Sequence, residues 1–305
     1  MTELFNRDLT LNVGGAVINM HDVDPITRRI RPMLRVRFVV EKSGNRDPNR
    51  AEVIVYNLNR ANRKVLEEGS NLLEKTEGAF EWPLVIEAGY VGSKSQIFSG
   101  DITYANSVRS GVDWVTTIEA EDGGKKYASK RINKSYGPGT TLQILLTDLA
   151  KALGVGLGNS AAKFAAAATD VNSRVFKRNF KRFQKGVVVR GRVSRNLDRY
   201  ITSAGFLWSI QDGQLQVLGP DEVVVGTAVV LNKSTGLIGA PEKGEKGIVT
   251  ARSLMQGLII PGRRVILESE SVTGQFKARD LKHFGDSHGN DWYTDFEGKP
   301  VDVAA

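Results

Sequence analysis

One nine-residue pattern, Gly-x-Asp-Trp-x-Thr-x-x-Glu, occurs twice and constrains this chain more than any other feature. The first copy carries Gly111, Asp113, Trp114, Thr116 and Glu119; the second carries Gly289, Asp291, Trp292, Thr294 and Glu297. Upstream of each lies a second matched block, Gln-apolar-x-x-x-Asp-apolar-x-ring. It reads Gln96, Ile97, Asp101, Ile102, Tyr104, and then Gln275, Phe276, Asp280, Leu281, His283. Farther upstream, Val85-Ile86-Glu87 is matched by Ile266-Leu267-Glu268. The blocks keep nearly the same separation, with one residue fewer in the second copy. Two unrelated strands would not share so many identities in register, so the pattern is that of one β-module duplicated within the chain.

The rest of the chain divides around that duplication. Alternating apolar residues predict strands near 8–20, 35–40, 51–58, 84–90, 96–104 and 114–120, with a short helix at 60–68 capped by Asn59 and stopped by Gly69. Short connections require antiparallel pairing, because parallel strands need long crossovers. In the middle, Leu142, Leu145, Leu146, Leu149 and Leu153 recur at helical spacing behind a Thr140 or Thr141 cap, and Gly154 ends that helix. Residues 156–170, rich in Gly and Ala, read as a loop or weak helix. A second helix is expected at 194–204. A hairpin around Gln211-Asp212-Gly213 follows, since Asp-Gly tolerates the positive φ of such turns. Strands at 223–231, 248–254, 264–268, 275–283 and 292–297 repeat the first module, with 236–241 a turn-rich passage and 299–305 a loose tail. The expectation is a mainly β chain with an α/β insert: two similar antiparallel β-barrel modules, 1–125 and 221–305, flanking a small helix-hairpin domain at 126–220. A chain of 305 residues has room for cores of that number.

The net charge of +8 is concentrated. Residues 174–199 hold ten Lys or Arg and one acid, Asp198, so the remainder is near neutral. Within that segment Lys177, Arg178, Lys181, Arg182 and Lys185 interleave with Phe176, Phe180 and Phe183. Such interleaving suits single-stranded nucleic acid. It suits equally a segment that docks its rings on a protein neighbour and leaves its cations solvated or paired, and that reading is the simpler one. The absence of cysteine excludes disulfides, Cys-based zinc sites and Cys nucleophiles. Residues 1–8 lack the pattern of a signal peptide, and the apolar run at 223–231 is too short to span a bilayer.

Catalytic and cofactor motifs fare poorly. Gly154-x-Gly156-x-Gly158 follows a helix rather than a strand, the reverse of a dinucleotide fingerprint. Gly137-Pro138-Gly139-Thr140-Thr141 lacks the lysine of a phosphate loop and reads as a loop and helix cap. His283, Asp286 and His288 are close enough in sequence to ligate a metal, but His283 aligns with Tyr104, which argues for a structural ring. The carboxylates Asp113, Asp291, Glu119 and Glu297 belong to the repeat, and a residue needed in both copies suits shared architecture better than a single active site. No Ser-His-Asp constellation is present. The expectation is a protein with no enzyme activity, cofactor or metal.

Two β-modules around an α/β insert resemble the baseplate hub proteins of contractile-tailed bacteriophages and related injection machines, a tail-tube-like double-barrel family. The resemblance is carried by Gly236-Leu237-Ile238-Gly239-Ala240-Pro241, by Leu254, Pro261-Gly262 and Val265, and by His283-Phe284-Gly285-Asp286 with Trp292. Residues 195–218, including Trp208-Ser209-Ile210-Gln211-Asp212-Gly213-Gln214-Leu215, are similar to that family's middle domain. The resemblance implies a homotrimeric structural ring in the virion, assembled in the bacterial host cytoplasm. Such a ring sits between the tail tube protein, the central spike protein and other baseplate proteins, and phage DNA passes through its pore. It makes Gln96, Asp101, Asp113, Trp114 and Glu119 ring-equivalent to Gln275, Asp280, Asp291, Trp292 and Glu297. It also makes the basic segment a partner contact. Two alternatives are a nucleic-acid-binding β-barrel protein acting through 174–199 and a hub-associated cell-wall hydrolase.

Overall fold

The computed structural model describes residues 6–19, 21–23, 30–32, 34–75, 82–161, 183 and 185–301. Strand formation follows the period of two. Residues Val36–Ser43 bury Val36, Phe38 and Val40 and expose Arg37 and Glu41. The elements, in chain order, are β1 (Arg7–Val13), β2 (Ala16–Asn19), β3 (His21–Val23), β4 (Ile30–Pro32), β5 (Val36–Ser43), β6 (Arg50–Tyr56), α1 (Arg60–Lys75), β7 (Pro83–Tyr90), β8 (Ser95–Ser110) and β9 (Asp113–Glu121). The middle contributes α2 (Gly124–Ser129), β10 (Arg131–Tyr136), α3 (Leu142–Leu153), β11 (Val187–Arg192), α4 (Val193–Ser203), β12 (Leu207–Gln211) and β13 (Gln214–Leu218). Then follow β14 (Val229–Leu231), β15 (Leu237–Lys243), β16 (Val249–Leu254), β17 (Arg264–Glu268), β18 (Thr273–Asp286) and β19 (Trp292–Pro300).

The two modules have the same strand order. The first runs β5-β6-β9-β8-β7-β1 and the second runs β15-β16-β19-β18-β17-β14. They differ at the last strand: β1 is antiparallel to β7, whereas β14 is parallel to β17. Hydrogen bonds join both modules into one 13-stranded sheet, because β18 pairs with β5 as well as with β17 and β19. Three apolar clusters lie beneath. The first is built around Leu9, Phe38, Ile86, Phe98 and Trp292, the second around α3, α4 and the β12–β13 hairpin, and the third around Leu231, Leu267 and Phe296.

The middle unit forms as its sequence dictates. Thr141 caps α3 by accepting the Ile144 amide, and Gly154 closes the helix at φ 79°. Gln211 and Gln214 pair across a two-residue turn with Asp212 at φ 53° and Gly213 at φ 75°, the geometry an Asp-Gly hairpin requires. Residues 137–141 are a turn and cap, with the Thr140 hydroxyl donating to the Gly137 carbonyl.

Elsewhere the structure corrects the sequence reading. Helix α1 does not stop at Gly69 but continues to Lys75. Gly69 is there for packing, since a Cβ would lie 2.4 Å from the Trp82 ring. Strand β8 runs on to Ser110. The strand expected at 223–231 is confined to Val229–Leu231. The passage 236–241, expected as turns, belongs largely to strand β15, which carries an irregularity between Ile238 and Glu242. Helix α2 and the β10–β11 pair had no counterpart in the sequence reading. Most of 156–170, and 302–305, lie outside the described residues.

Candidate functional site

Residues of the second repeat copy, Asp280, His283 and Trp292, gather at the seam where the second module joins the first. Strand β18 is long enough to serve both. Residues Thr273–Lys277 pair with β17, and on the same side Asp280–Asp286 pair with β5, Asp280 opposite Ser43 and Asp286 opposite Arg37. Ion pairs and rings fasten this joint. The Arg35 guanidinium donates to both oxygens of Asp286, at 3.2 and 2.7 Å. Burial opposes ionisation of Asp286, yet Arg35 and the His288 and Gly289 amides outweigh it and hold its pKa below the ordinary range. Lys282 lies 3.4 Å from Glu41, and the Ser43 hydroxyl donates to Asp280 at 2.6 Å. Trp292, 1% exposed, stands edge-on to Phe38 with ring centroids 5.4 Å apart, and its indole N–H donates to the Gly89 carbonyl at 3.0 Å. His283 is buried behind it, with Nδ1 2.8 Å from the Thr294 hydroxyl. Burial, aided by the charge on Lys42, lowers the His283 pKa to about 3.

A second fastening holds the middle unit to the seam. The Asp212-Gly213 turn inserts beside the end of β5. The Lys42 ammonium, almost wholly buried, donates to both Asp212 oxygens at 3.0 and 2.8 Å. Asp122 accepts the Asp212 and Gly213 amides, and Asn49 donates to Asp122, to Gln211 and to the Ile210 carbonyl. One buried cation therefore faces two carboxylates. Burial, with the Asp212 charge, pushes the Asp122 pKa up to about 6 against the opposing pull of its amide donors and Lys42.

The repeat itself proves partly equivalent. In each module a bulge interrupts the long hairpin at the same rung. Tyr104 faces Glu119 and Ile102 faces Ala120 across one; Asp280 faces Glu297 and Ala278 faces Gly298 across the other. Thr116 and Thr294 are both fully buried, and Ile118 and Phe296 take the same inward position. Val85-Ile86-Glu87 and Ile266-Leu267-Glu268 also occupy matching rungs, counted through the paired strands. The Gln and Asp block does not. Counted from the shared bulge, Asp280 stands where Tyr104 stands, three residues from Asp101. Asp101 instead faces Glu121 and lies 3.4 Å from Lys126. Gln96 and Gln275 are exposed, opposite Glu87 and Ile266. Trp114 is half-buried under Arg63, 3.9 Å from its ring centroid, whereas Trp292 lies in the core. Asp113 accepts the Asn57 amide at 2.9 Å, and Asp291 is exposed. Glu119 is exposed, and Glu297 meets Arg279 at 3.3 Å.

Of the basic residues, Lys177, Arg178, Lys181 and Arg182 lie outside the described residues. Lys185 is exposed at the approach to β11. Phe183 packs on the middle core, 6.1 Å from the Tyr200 ring. His283, Asp286 and His288 point to separate partners, with His288 Nδ1 2.9 Å from the Ser287 hydroxyl. Among the described residues no cluster of three His, Cys, Asp or Glu could hold a metal, and no helix is long and apolar enough to cross a membrane.

Comparison with known proteins agrees with this architecture. The model of the family described as "Baseplate hub gp41" matches residues 13–298. The 43 kDa tail protein of prophage MuSo2 from Shewanella oneidensis is similar in fold, with a TM-score of 0.58 at 8% identity, over 96% of this chain and 98% of that one. A tail protein from Neisseria meningitidis MC58 gives 0.58 at 10% identity, over 97% of each chain. The E. coli c3393 protein is a component of the type VI secretion system, described as structurally similar to T4 bacteriophage tail proteins gp27 and gp5. It gives 0.55 at 11% identity, over 95% of this chain and 76% of that one. No curated protein sequence matches the chain.

Proposed function

This chain belongs to the baseplate hub gp41 family, and from that premise we propose that three copies form a ring joining a sixfold tail tube to a threefold central spike. Its pore is the channel for DNA at ejection, and its neighbours are the tube, spike and other baseplate proteins. Its role is structural and not enzymatic, in a virion assembled in the host cytoplasm.

The observation that supports this most is the shared strand order of two modules within one sheet. Three copies of a two-module chain present six similar modules around an axis. They match a sixfold ring on one face and keep true threefold symmetry for the other. The differences between modules, Trp114 against Trp292 and β1 against β14, are those a threefold assembly permits and a sixfold one forbids. Native mass spectrometry of the purified protein tests the proposal. The expected result is the mass of three chains, and a stable monomer or a homohexamer would overturn it.

A further inference from the structure

The middle unit carries a strongly charged face that the seam does not use. Strands β10 and β11 pair only with each other. One face of this ribbon is turned inward: Tyr136 and Val189 are buried in the middle core, with Ile132 and Val187 packed against it. The other face consists of Arg131, Asn133 and Ser135 on β10 and, opposite them, Arg192, Arg190 and Val188 on β11; all are exposed. Arginine is the dominant residue of this face, and none of its residues is an acid. The neighbouring acids are committed elsewhere, Asp148 to Lys134 and Tyr136, and Asp198 to Arg46 and the Trp208 indole. Among the described residues, no ion pair joins Arg131, Arg190 or Arg192 to a carboxylate. Arg131 stands directly opposite Arg192, an arrangement that costs a ribbon stability because like charges on facing positions repel. A cost of this kind, accepted at an exposed place with no acid to relieve it, marks a binding surface rather than a solvated face.

We infer that this ribbon face binds the phosphate backbone of duplex DNA without reading its sequence. The fold assembles the face from two parts of the chain. Arg190 and Arg192 lie in the basic segment, and strand pairing brings Arg131 beside them from outside it. Alternate residues of a strand are about 7 Å apart and facing residues about 5 Å. The three guanidinium groups therefore spread from a patch narrower than the major groove, which is about 12 Å wide and admits a two-stranded ribbon. Guanidinium meets phosphate through paired hydrogen bonds. An acidic protein is the competing occupant, and the make-up of the face disfavours it. Protein interfaces are anchored by buried aromatic and aliphatic side chains. Here Val188, 66% exposed, is the sole apolar residue of the face. Protein–DNA interfaces are instead polar and strongly positive. Such binding works by counterion release, and DNA slides across contacts of this kind, which suits a protein past which DNA must move. The ribbon is complete within one chain, so the inference goes beyond the ring reading and does not need three copies.

Fluorescence anisotropy with a labelled, mixed-sequence DNA duplex tests this on the full chain, in whatever oligomeric state it adopts. Three phosphate contacts contribute about −2.7 to the slope of log K against log salt, a loss of roughly 40-fold between about 50 and 200 mM. Arg131→Gln, Arg190→Gln and Arg192→Gln combined are expected to remove that much of the slope. Arg60→Gln, Lys243→Gln and Lys246→Gln combined remove the same charge from other exposed positions and are expected to change the slope by less than about 1. Val188→Glu sets a carboxylate among the arginines, relieving their repulsion while opposing phosphate. It is expected to weaken duplex binding about tenfold with no loss of thermal stability. Equal slopes for the two triple variants, or wild-type affinity in Val188→Glu, overturn the proposal. So does a wild-type chain that binds poly-glutamate and not the duplex, which makes the occupant an acidic protein. A trimer that fails to bind the duplex overturns the ribbon and leaves the ring reading standing; a monomer that binds it through the ribbon does the reverse.

Discussion

His283 and Asp122 lie at the two fastenings of the seam, and acid moves them in opposite directions. His283 has a folded pKa of about 3 against 6.5 unfolded. A depressed folded pKa gives stability that is present above the unfolded value and lost as pH falls. Between pH 7 and 5 the unfolded chain takes up a proton that the buried ring refuses, a loss of about 2 kcal/mol. Asp122 has a folded pKa of about 6 against 3.8 unfolded. A raised folded pKa gives stability that is present at low pH and lost as pH rises through it. Over the same interval Asp122 therefore returns about 1 kcal/mol. The wild type should show little net change from this pair. His283→Asn keeps a hydrogen-bonding side chain beside the Thr294 hydroxyl but removes the titration, and its stability should rise on going from pH 7 to pH 5, relative to wild type. Asp122→Asn should fall. The fixed penalties of each substitution apply at both pH values and cancel in the comparison. Urea unfolding followed by tryptophan fluorescence measures it, because Trp292 sits in the same seam. If His283→Asn and wild type have the same pH slope, the burial argument for the ring is wrong.

Other perturbations separate strong contacts from weak ones. Trp292→Ala empties a fully buried site and breaks the bond to Gly89, with an expected loss of about 3–5 kcal/mol in denaturant unfolding. Lys42→Met leaves Asp212 and Asp122 without their cation, and should destabilise by about 3–5 kcal/mol and expose the middle unit to limited proteolysis. Gly69→Ala drives a Cβ into the Trp82 ring, with a loss of about 1–3 kcal/mol seen as a lowered melting temperature. Arg252→Ala removes an exposed pair with Asp295 and should change stability by less than about 1 kcal/mol; a larger loss would show that solvent does not screen the pair.

The duplication was legible because its best-kept stretch lies on β9 and β19, where an inward threonine and a bulge-facing glutamate take the same rungs in both modules. The Asp212-Gly213 turn and helix α3 were legible because their chemistry is local. What could not be read was non-local. The Gln and Asp blocks look aligned in sequence because strands of period two resemble one another at several offsets, and only the bulge fixes the true register. Strand β15 hid behind Gly239 and Pro241, residues that mark turns in most settings but are tolerated in an edge strand with an irregular ladder. Strands β10 and β11 pair across a long intervening segment, so neither carries a hairpin signal. Trp114 and Trp292 share a motif position yet differ in burial, which depends on what is docked beside each strand.

The shared strand also determines how the molecule carries load. The modules share a hydrogen-bonded ladder, so traction on one reaches the other through β5 and β18. A pull along the strands loads all those hydrogen bonds simultaneously instead of peeling them apart in sequence. Shear of that kind resists rupture far better than unzipping, so a load on either module moves both as a single stiff body.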